Sequence, residues 1–282
     1  MAKIKLRDYQ VEAVNFTQRV DKSLLCMRVG SGKTICAMFA LREFLNNKRA
    51  DKAIVACTKS SVSVFQHDFK EKAGIKVPLA ETIDDLMKFL SSRDSKICLI
   101  KHSMFEKAGG NIEYIRELEE YAKKGLKVAL VIDEAHKMQN PEGVAQSAFH
   151  RIDFLFNKVV LLTATPYSSC LSQFWGLICL IHPEVWPTKR SFFNRFIDEV
   201  AIKDPKTFRI IRKEKVRYKN LAEFREAIEP FTYFYYPKIA LVHIEHHTRL
   251  KDYSEYNTLC QGILTEEEKE ALEKKKQEKS SR

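Results

Sequence analysis

Residues 24–34 read LLCMRVGSGKT, and this stretch decides the fold of the chain. Apolar residues at its start precede two glycines, Gly30 and Gly32, which bracket Ser31. Apolar side chains then recur at helical spacing across residues 35–45. A strand that turns through glycines into a helix is the arrangement of a phosphate-binding loop, and we predict such a loop here.

The chemistry of this loop follows from its residue types. Gly30 and Gly32 permit backbone angles that point several N–H groups at one anion, and the helix that begins near Lys33 adds the positive end of its dipole. Lys33 would reach the outer phosphates and Thr34 would ligate Mg²⁺. The full pattern has a glycine where Met27 stands. A glycine-rich turn with no ligand is therefore the alternative for this stretch taken alone.

A second motif supports the ligand-binding interpretation. Residues 128–132 read VALVI, a continuous apolar run typical of a parallel strand that is buried on both faces. Asp133 and Glu134 follow at the end of this strand, where open α/β sheets bind their ligands. Asp133 is suited to hold Mg²⁺, and Glu134 to polarise the water that attacks a γ-phosphate. The two motifs together predict a site for ATP and Mg²⁺.

Further motifs occur in the order of a known family. The chain resembles the first RecA-like lobe of a superfamily 2 helicase or translocase, and it is most similar to the Swi/Snf-type DNA translocases. The resemblance covers residues 6–234. Its segments are LRDYQ (6–10, the Q motif), IVACTKS and FQHDF (54–60 and 65–69, motif Ia and the helix after it), KHSMF (101–105, motif Ib), DEAH (133–136, motif II), LLTATP (161–166, motif III) and the stretch from QFW to FFNRF (173–196).

The resemblance implies a role for each motif. Seven residues would bind the nucleotide, with Gln10 pairing with adenine: Arg7, Gln10, Gly30, Ser31, Gly32, Lys33 and Thr34. Hydrolysis would depend on Lys33, Asp133 and Glu134, and Mg²⁺ would be held by Thr34 and Asp133. Coupling of hydrolysis to nucleic-acid contacts would depend on His136, Thr163 and Thr165. Those contacts would be made by Thr58, Lys59, Lys101 and His102.

The chain also departs from the Swi/Snf pattern. Its phosphate loop has Met27 and Arg28 where that pattern has an acidic pair, and Ala135 stands where motif II usually has glycine. The second lobe of the family, with its arginine finger and motifs IV to VI, is not found in these 282 residues. We therefore expect half of a motor, completed by a second RecA-like lobe that was truncated or is supplied by another chain.

The alternation of apolar runs with helical or loop segments predicts the fold class. It indicates an α/β fold with a mainly parallel sheet and helices on both faces, and the resemblance makes this a RecA-like P-loop NTPase lobe. We predict that residues 1–240 form the lobe, with a basic insertion near residues 203–219. Residues 241–282 would be a linker and a charged tail that lead towards the second lobe.

The charge of the chain indicates a polyanionic partner. The formal net charge is +11, and residues 203–219 carry eight Lys or Arg against two Asp or Glu. Apolar residues interleave with these cations, as on a ribbon with one basic face. We predict that Arg212, Lys213 and Lys215 contact nucleic-acid phosphates. The alternative is a merely solvated hairpin, or a site for an acidic protein.

Composition also indicates where the protein works. No apolar run approaches the roughly 20 residues needed to span a bilayer, and the N-terminal sequence MAKIK lacks the apolar segment of a signal peptide. The seven cysteines include no Cys-x-x-Cys pair, so we expect reduced thiols rather than disulfides or zinc. We predict an intracellular protein, cytoplasmic or nuclear, that is not secreted and has no membrane partner.

Three functional hypotheses follow. Our prediction is an ATP-binding and ATP-hydrolysing lobe of a nucleic-acid-dependent translocase, with double-stranded DNA as the preferred partner. The second hypothesis is a stand-alone ATP-dependent DNA-binding or adaptor module that does not translocate. The third is a strand-separating helicase or a restriction-type motor subunit that acts on DNA or RNA.

Overall fold

The structure is a computed structural model that describes residues 5–166, 171–203 and 210–235. The predicted linker and tail, residues 241–282, lie outside the described residues, as do Lys206 and Arg209 of the basic segment. Within the described ranges the chain forms a seven-stranded sheet covered by helices and a separate two-stranded sheet.

The main sheet is entirely parallel. The described residues contain nine strands: β1 (Lys22–Met27), β2 (Lys52–Cys57), β3 (Leu79–Ala80), β4 (Ile97–Lys101), β5 (Val128–Ile132), β6 (Phe156–Thr163), β7 (Ile197–Lys203), β8 (Ile210–Tyr218) and β9 (Thr232–Tyr235). Seven of them form the main sheet in the order β3-β4-β2-β5-β6-β1-β9, and every neighbouring pair is parallel. β2 and β5 are buried along their whole length. The predicted α/β fold is confirmed.

Helices supply the crossover connections that parallel neighbours need. The described part of the chain contains ten: α1 (Asp8–Arg19), α2 (Lys33–Asn46), α3 (Val62–Asp68), α4 (Ile83–Ser91), α5 (Ser103–Gly109), α6 (Ile112–Lys123), α7 (Val144–His150), α8 (Leu171–Ile181), α9 (Lys189–Phe196) and α10 (Leu221–Ile228). A π-helical turn at Phe69–Ala73 continues α3, and 3-10 turns lie at Ala135–Met138 and Asp153–Leu155.

Two hydrophobic cores lie on opposite faces of the main sheet. Successive strand residues alternate between them, so that Leu24 packs in one core and Leu25 in the other. The first core includes side chains from α4, α5 and α8, and the second includes side chains from α1, α2 and α3. The residues that follow the strands are therefore positioned from both faces of the sheet.

A close contact with α8 supports the 3-10 turn that contains the last residues of motif II. α8 packs against the 3-10 turn Ala135–Met138. A Cβ atom added at Gly176 of α8 would lie 1.6 Å from the carbonyl oxygen of Gln139, so only glycine allows this approach. The stretch after motif III, to which Gly176 belongs, thus holds in place the residues that follow Glu134.

The basic segment forms an antiparallel hairpin outside the main sheet. β7 pairs with β8, so the hairpin begins at Ile197, earlier than the predicted insertion. The register sets Asp198 opposite Arg217 and Glu199 opposite Lys215. In this backbone register, two acidic residues that lie outside the predicted basic segment therefore occupy positions opposite two of its basic residues.

Candidate nucleotide-binding site

The predicted phosphate loop connects β1 to α2. Gly30 and Gly32 have φ values of 77° and 83°, in the left-handed region that other residues rarely adopt. A Cβ atom at Gly30 would meet no atom within 4 Å, so the loop leaves open space at this point. α2 begins at Lys33 and no side chain caps its N-terminus, which leaves its first N–H groups available to an anion.

Three charged side chains interact electrostatically beside this loop: Lys33, Asp133 and Glu134. Burial lowers the pKa of Lys33, and the nearby Glu134 and Asp133 carboxylates oppose that shift. Asp133 is only 7% exposed, and its pKa is raised by burial and by the Glu134 charge, with Lys33 opposing. In a partly desolvated site, the ammonium group can donate hydrogen bonds to phosphate. The two carboxylates offer the oxygen ligands that a hard cation such as Mg²⁺ needs. The residues present therefore fit a magnesium nucleotide.

Glu134 has a strained backbone. Its φ and ψ are 49° and 48°, in the left-handed region that costs a non-glycine residue about 1–2 kcal/mol. This conformation turns the chain from β5 into the 3-10 turn and brings Oε2 to within 3.2 Å of Nδ1 of His136. The interaction with His136 is the main cause that lowers the pKa of Glu134, so its carboxylate is ionised at neutral pH.

His136 connects motif II to motif III. Its Nδ1 lies 3.3 Å from Oγ1 of Thr163, and the N–H of Thr165 donates to the same hydroxyl oxygen at 3.1 Å. Thr163 is fully buried at the end of β6, between β5 and β1 in the sheet. The structure thus brings the three residues predicted to couple hydrolysis into one hydrogen-bonded group beside Glu134.

Gln10 lies against the phosphate loop and supports it. Its side chain is 6% exposed, its Nε2 donates to the carbonyl of Ser31 at 2.9 Å, and its Oε1 accepts from the N–H of Arg7 at 3.0 Å. The Tyr9 hydroxyl donates to the same Ser31 carbonyl at 3.0 Å. Both ends of the Gln10 amide are therefore used within the protein, and its pairing with adenine stays a prediction.

An aromatic pair that the sequence motifs do not predict lies beside the phosphate loop. The rings of Tyr9 and Tyr235 stack with their centroids 3.7 Å apart and an interplanar angle of 7°. The hydroxyl of Tyr233, also on β9, donates to the Tyr9 carbonyl at 3.0 Å. An aromatic run at residues 231–236 is the only signal in the sequence, and it does not indicate that β9 pairs with β1.

Four of the residues predicted to contact nucleic acid, Thr58, Lys59, Lys101 and His102, lie at the ends of β2 and β4. Lys59 is exposed, whereas the Lys101 ammonium forms an ion pair with Glu81 at 3.0 Å. The His102 ring points inwards: its Nε2 donates to the Asp133 carbonyl at 2.8 Å, and burial lowers its pKa. Contacts from these residues to nucleic acid stay a prediction. The His102 side chain is already hydrogen-bonded to the backbone of Asp133 in motif II.

The described residues show no further metal centre. No three His, Cys, Asp or Glu side chains among them are grouped so as to hold a metal ion. The five cysteines in the described ranges are buried free thiols. No helix in the same ranges is both long and apolar enough to cross a membrane.

The N-terminal part of the chain matches a known family. A family model described as Type III restriction enzyme, res subunit, matches residues 3–168, which is more than half of the chain. The chain belongs to this family. Its domain is the N-terminal lobe of superfamily 2 helicases, and the prediction of a first RecA-like lobe is thereby confirmed.

Two curated relatives carry chromatin-related names. The chain is 24% identical over 236 residues to Chromodomain-helicase-DNA-binding protein 1-like of Mus musculus, across 81% of this chain and 24% of the relative. It is 25% identical over 211 residues to SWI/SNF-related matrix-associated actin-dependent regulator of chromatin subfamily A member 1 of Homo sapiens, across 71% of this chain and 19% of the relative. The chain thus spans a quarter or less of the length of these relatives.

A solved structure shares the fold. The Sulfolobus solfataricus SWI2/SNF2 ATPase core in complex with dsDNA matches with a TM-score of 0.57 and 18% identity, across 82% of this chain and 44% of that chain. At this identity the likeness concerns the fold alone. The family match therefore shows a lobe of superfamily 2, and the relatives and the solved structure show that this lobe is similar to those of the Swi/Snf type.

Proposed function

We propose that this lobe binds ATP with Mg²⁺ and hydrolyses it as part of a motor that acts on nucleic acid, with double-stranded DNA as the preferred partner. The observation that carries the proposal is the arrangement of Lys33, Asp133 and Glu134 beside the phosphate loop. A cation and two carboxylates at the carboxyl edge of a parallel sheet are the groups that phosphoryl transfer to water requires.

The phosphate loop binds and orients the nucleotide phosphates in this proposal. The uncapped N–H groups at the start of α2 and the helix dipole attract phosphate oxygens. The Lys33 ammonium adds a full charge, and its partial burial strengthens that attraction. Gln10 and Tyr9 hold the loop through the Ser31 carbonyl, so the N–H groups stay directed at one point.

Glu134 acts on water in this proposal. Its carboxylate is kept ionised by His136 and can accept a proton from water. Asp133 and Thr34 would hold Mg²⁺, which supplies Lewis-acid charge to phosphate oxygens when it is bound. His136 links the position of Glu134 to Thr163, and this contact connects the hydrolytic site to motif III.

Charge and relatives support a nucleic-acid partner. The chain carries a formal net charge of +11, and the solved core with the same fold is bound to dsDNA. We propose that residues 1–240 form the lobe and that residues 241–282 lead to a second RecA-like lobe, in this chain or another, that supplies an arginine finger. We also propose an intracellular location, nuclear or cytoplasmic.

Lys33→Ala and Glu134→Gln separate ATP binding from hydrolysis. Removing the Lys33 ammonium should cost about 2–3 kcal/mol of binding free energy, because charged hydrogen bonds to phosphate are lost. We therefore expect ATP affinity, measured by isothermal titration calorimetry with Mg²⁺, to fall roughly 30- to 150-fold. Glu134→Gln should bind ATP about as tightly as the wild type and should release no phosphate above background.

Lys124→Ala is the matched control, because it removes an exposed cation next to the end of α6. Its ATP affinity should equal that of the wild type. Equal ATP affinity in Lys33→Ala would contradict the proposed site. Phosphate release by Glu134→Gln at the wild-type rate would contradict the role of Glu134 alone.

A further inference from the structure

The edge strand β9 lies next to the strand that leads into the phosphate loop. β9 pairs with β1 in parallel, and the register sets Tyr235 opposite Met27, the last residue of β1. The N–H of Arg28, the next residue along the chain, donates to the Tyr235 carbonyl at 3.3 Å. The pairing of β9 with β1 therefore extends into the first residue of the phosphate loop.

The side chain of Tyr235 reaches the same loop by a second route. Its ring stacks on the Tyr9 ring with the centroids 3.7 Å apart, and the Tyr9 hydroxyl donates to the Ser31 carbonyl at 3.0 Å. The Ser31 hydroxyl in turn donates to the Arg28 carbonyl at 2.7 Å. Together with the hydrogen bond from the Arg28 N–H, these contacts form a closed ring that begins and ends at Tyr235.

This ring of contacts holds the part of the loop with the greatest backbone freedom. Gly30 and Gly32 lie on either side of Ser31 and have φ values of 77° and 83°. Glycine loses more conformational entropy than any other residue when its backbone is fixed. A loop that already has its bound shape does not have to be ordered when phosphate binds, and the entropy that is saved appears as affinity. The contacts through Tyr235 should therefore strengthen phosphate binding.

A second aromatic contact joins β9 to α1 without reaching the loop. The rings of Tyr233 and Phe16 lie with their centroids 5.9 Å apart, at an interplanar angle of 44°. Phe16 follows Tyr9 in α1 by about two helical turns, or roughly 10 Å along the helix axis. The interface of α1 with β9 thus contains one ring contact beside the phosphate loop and one away from it. A role in nucleotide binding can therefore be separated from a role in packing alone.

We propose that Tyr235 is a positioning residue for the phosphate loop, which fixes the Ser31 carbonyl by stacking on Tyr9 and so raises the affinity for nucleotide phosphates. The inference rests on the proposed function, because it requires nucleotide phosphates at this loop. It adds β9, a strand that none of the sequence motifs includes, to the elements that form the site. Because coupling is reciprocal, bound phosphate should also hold β9 more firmly in the sheet.

The experiment measures how tightly the 282-residue protein binds two probes by isothermal titration calorimetry. The probes are a non-hydrolysable ATP analogue and inorganic tripolyphosphate, each with Mg²⁺. Tyr235→Leu keeps apolar bulk but removes the stack, so both dissociation constants should rise by about three- to tenfold. Tyr235→Phe keeps the ring and should bind both probes as the wild type does.

Tyr9→Phe tests the path from the stack to the loop. It keeps the stacked ring and removes the hydroxyl that donates to Ser31, so it should weaken both probes by a similar factor. In the Tyr9→Phe background, Tyr235→Leu should add little to the loss, because its path to the loop is already broken. Losses that simply add would contradict this path.

Hydrogen exchange measured by mass spectrometry tests the reciprocal effect in variants that keep every ring. Saturating tripolyphosphate with Mg²⁺ should slow exchange in peptides that contain β9, in the wild type and in Tyr235→Phe. The slowing should be smaller in Tyr9→Phe. Exchange in β9 that does not respond in the wild type, or that slows equally in Tyr9→Phe, would overturn the proposal even if Tyr235→Leu does not fold.

Phe16→Leu is the matched control, because it removes an aromatic ring from the same interface away from the loop. It should bind both probes as the wild type does. A wild type that does not bind the ATP analogue would overturn the proposed function. If the wild type binds it, unchanged affinities in Tyr235→Leu, or equal losses in Tyr235→Leu and Phe16→Leu, would overturn the role of Tyr235 alone. A loss confined to the ATP analogue would also overturn that role, because Tyr235 would then act on the nucleoside and not on the loop.

Discussion

Gly32 is the most confined glycine of the phosphate loop. A Cβ atom added there would lie 2.5 Å from Nε2 of Gln10, whereas one added at Gly30 would meet nothing within 4 Å. Both glycines have positive φ values, 83° and 77°, so backbone strain on substitution is common to them. The difference between the two positions is the Gln10 amide, which is buried and donates to the Ser31 carbonyl.

Alanine at each glycine should therefore have a different cost. Gly30→Ala should lower the free energy of unfolding by about 1–2 kcal/mol, which is the cost of a left-handed backbone for a residue with a Cβ atom. Gly32→Ala should lower it by roughly 1 kcal/mol more, because Gln10 must leave its hydrogen bond. Urea unfolding followed by circular dichroism measures both values.

The Gln10→Ala background tests the cause of that difference. With the amide removed, a methyl group at position 32 has room. Gly32→Ala made in this background should then cost about as much as Gly30→Ala, about 1–2 kcal/mol. Costs that simply add in the double variant would show that Gln10 is not what confines Gly32.

At the scale of the elements, the β7–β8 hairpin carries no more net positive charge than β8 alone, because β7 contributes acidic residues. Between residues 197 and 218, seven Lys or Arg are accompanied by four Asp or Glu. Lys215 is paired in register with an acidic residue of β7, whereas Arg212 and Lys213 are paired with Ile202 and Ala201. We therefore expect Arg212 and Lys213 to contribute more to phosphate binding than Lys215 does.

Charge reversal in this hairpin should change how DNA binding depends on salt. Each phosphate contact contributes about 0.9 to the slope of log affinity against log salt on duplex DNA. Changing Arg212, Lys213 and Lys215 to Glu should weaken binding and flatten the slope by roughly two to three, with most of the change from the first two positions. Fluorescence anisotropy of a labelled duplex across salt concentrations gives the slope. ATP affinity should not change, because the phosphate loop is a separate element.

A second triple reversal controls for total charge. Changing Arg116, Lys123 and Lys124 to Glu, in and next to the end of α6, alters the net charge by the same amount at exposed positions. Its salt slope should remain near that of the wild type. An unchanged slope in the hairpin variant, or equal changes in both variants, would leave the hairpin as a solvated element or a site for an acidic protein.

The elements that could be predicted from sequence are those whose signal is local. β1, β2, β4, β5 and β6 each coincide with a continuous apolar run, because each is buried on both faces of the sheet. The edge strands carry no such signal. β3 has only two residues, and β9 joins the sheet by pairing with β1, which lies at the other end of the described chain.

The same limit applies to the candidate site. Lys33, Asp133 and Glu134 could be predicted because each follows a strand at a fixed position in a motif. The stacking of Tyr235 on Tyr9 could not, because Tyr235 lies on β9 and Tyr9 on α1, far apart in the sequence. Such contacts depend on how the crossovers bring distant segments together, and a single sequence does not record that.

At the scale of the whole molecule, parallel strands place both candidate ligands at one edge. The phosphate loop follows β1, Asp133 follows β5, Thr163 ends β6, and the loops with Lys59 and His102 follow β2 and β4. Because parallel strands end at the same edge of a sheet, the residues predicted to bind nucleotide and those predicted to bind nucleic acid lie at one edge of this lobe. Coupling between the two ligands is therefore expected in binding even without a second lobe.

Unlike ligand binding, ATP turnover should require a second lobe, and we expect the 282-residue protein to hydrolyse ATP slowly. An arginine finger typically contributes a factor of about 10³–10⁵ to turnover, and the Swi/Snf resemblance places that residue in the second lobe. Steady-state phosphate release should exceed the Glu134→Gln background but remain far below about 10 s⁻¹, a typical enzyme turnover number. Duplex DNA should stimulate it weakly or not at all.

The contrast between binding and turnover makes this prediction specific. The residues predicted to bind nucleotide and those predicted to bind DNA both belong to the lobe itself, so the mutual effect of the two ligands on binding should survive, whereas acceleration of the chemical step should not. The Glu134→Gln variant defines the background rate of phosphate release, because it removes the carboxylate that would accept the proton from water. Turnover near 10 s⁻¹ with strong stimulation by DNA would mean that these 282 residues contain every group needed for the reaction. The half-motor interpretation would then be wrong, and a cation of this lobe would have to take the place of the arginine finger.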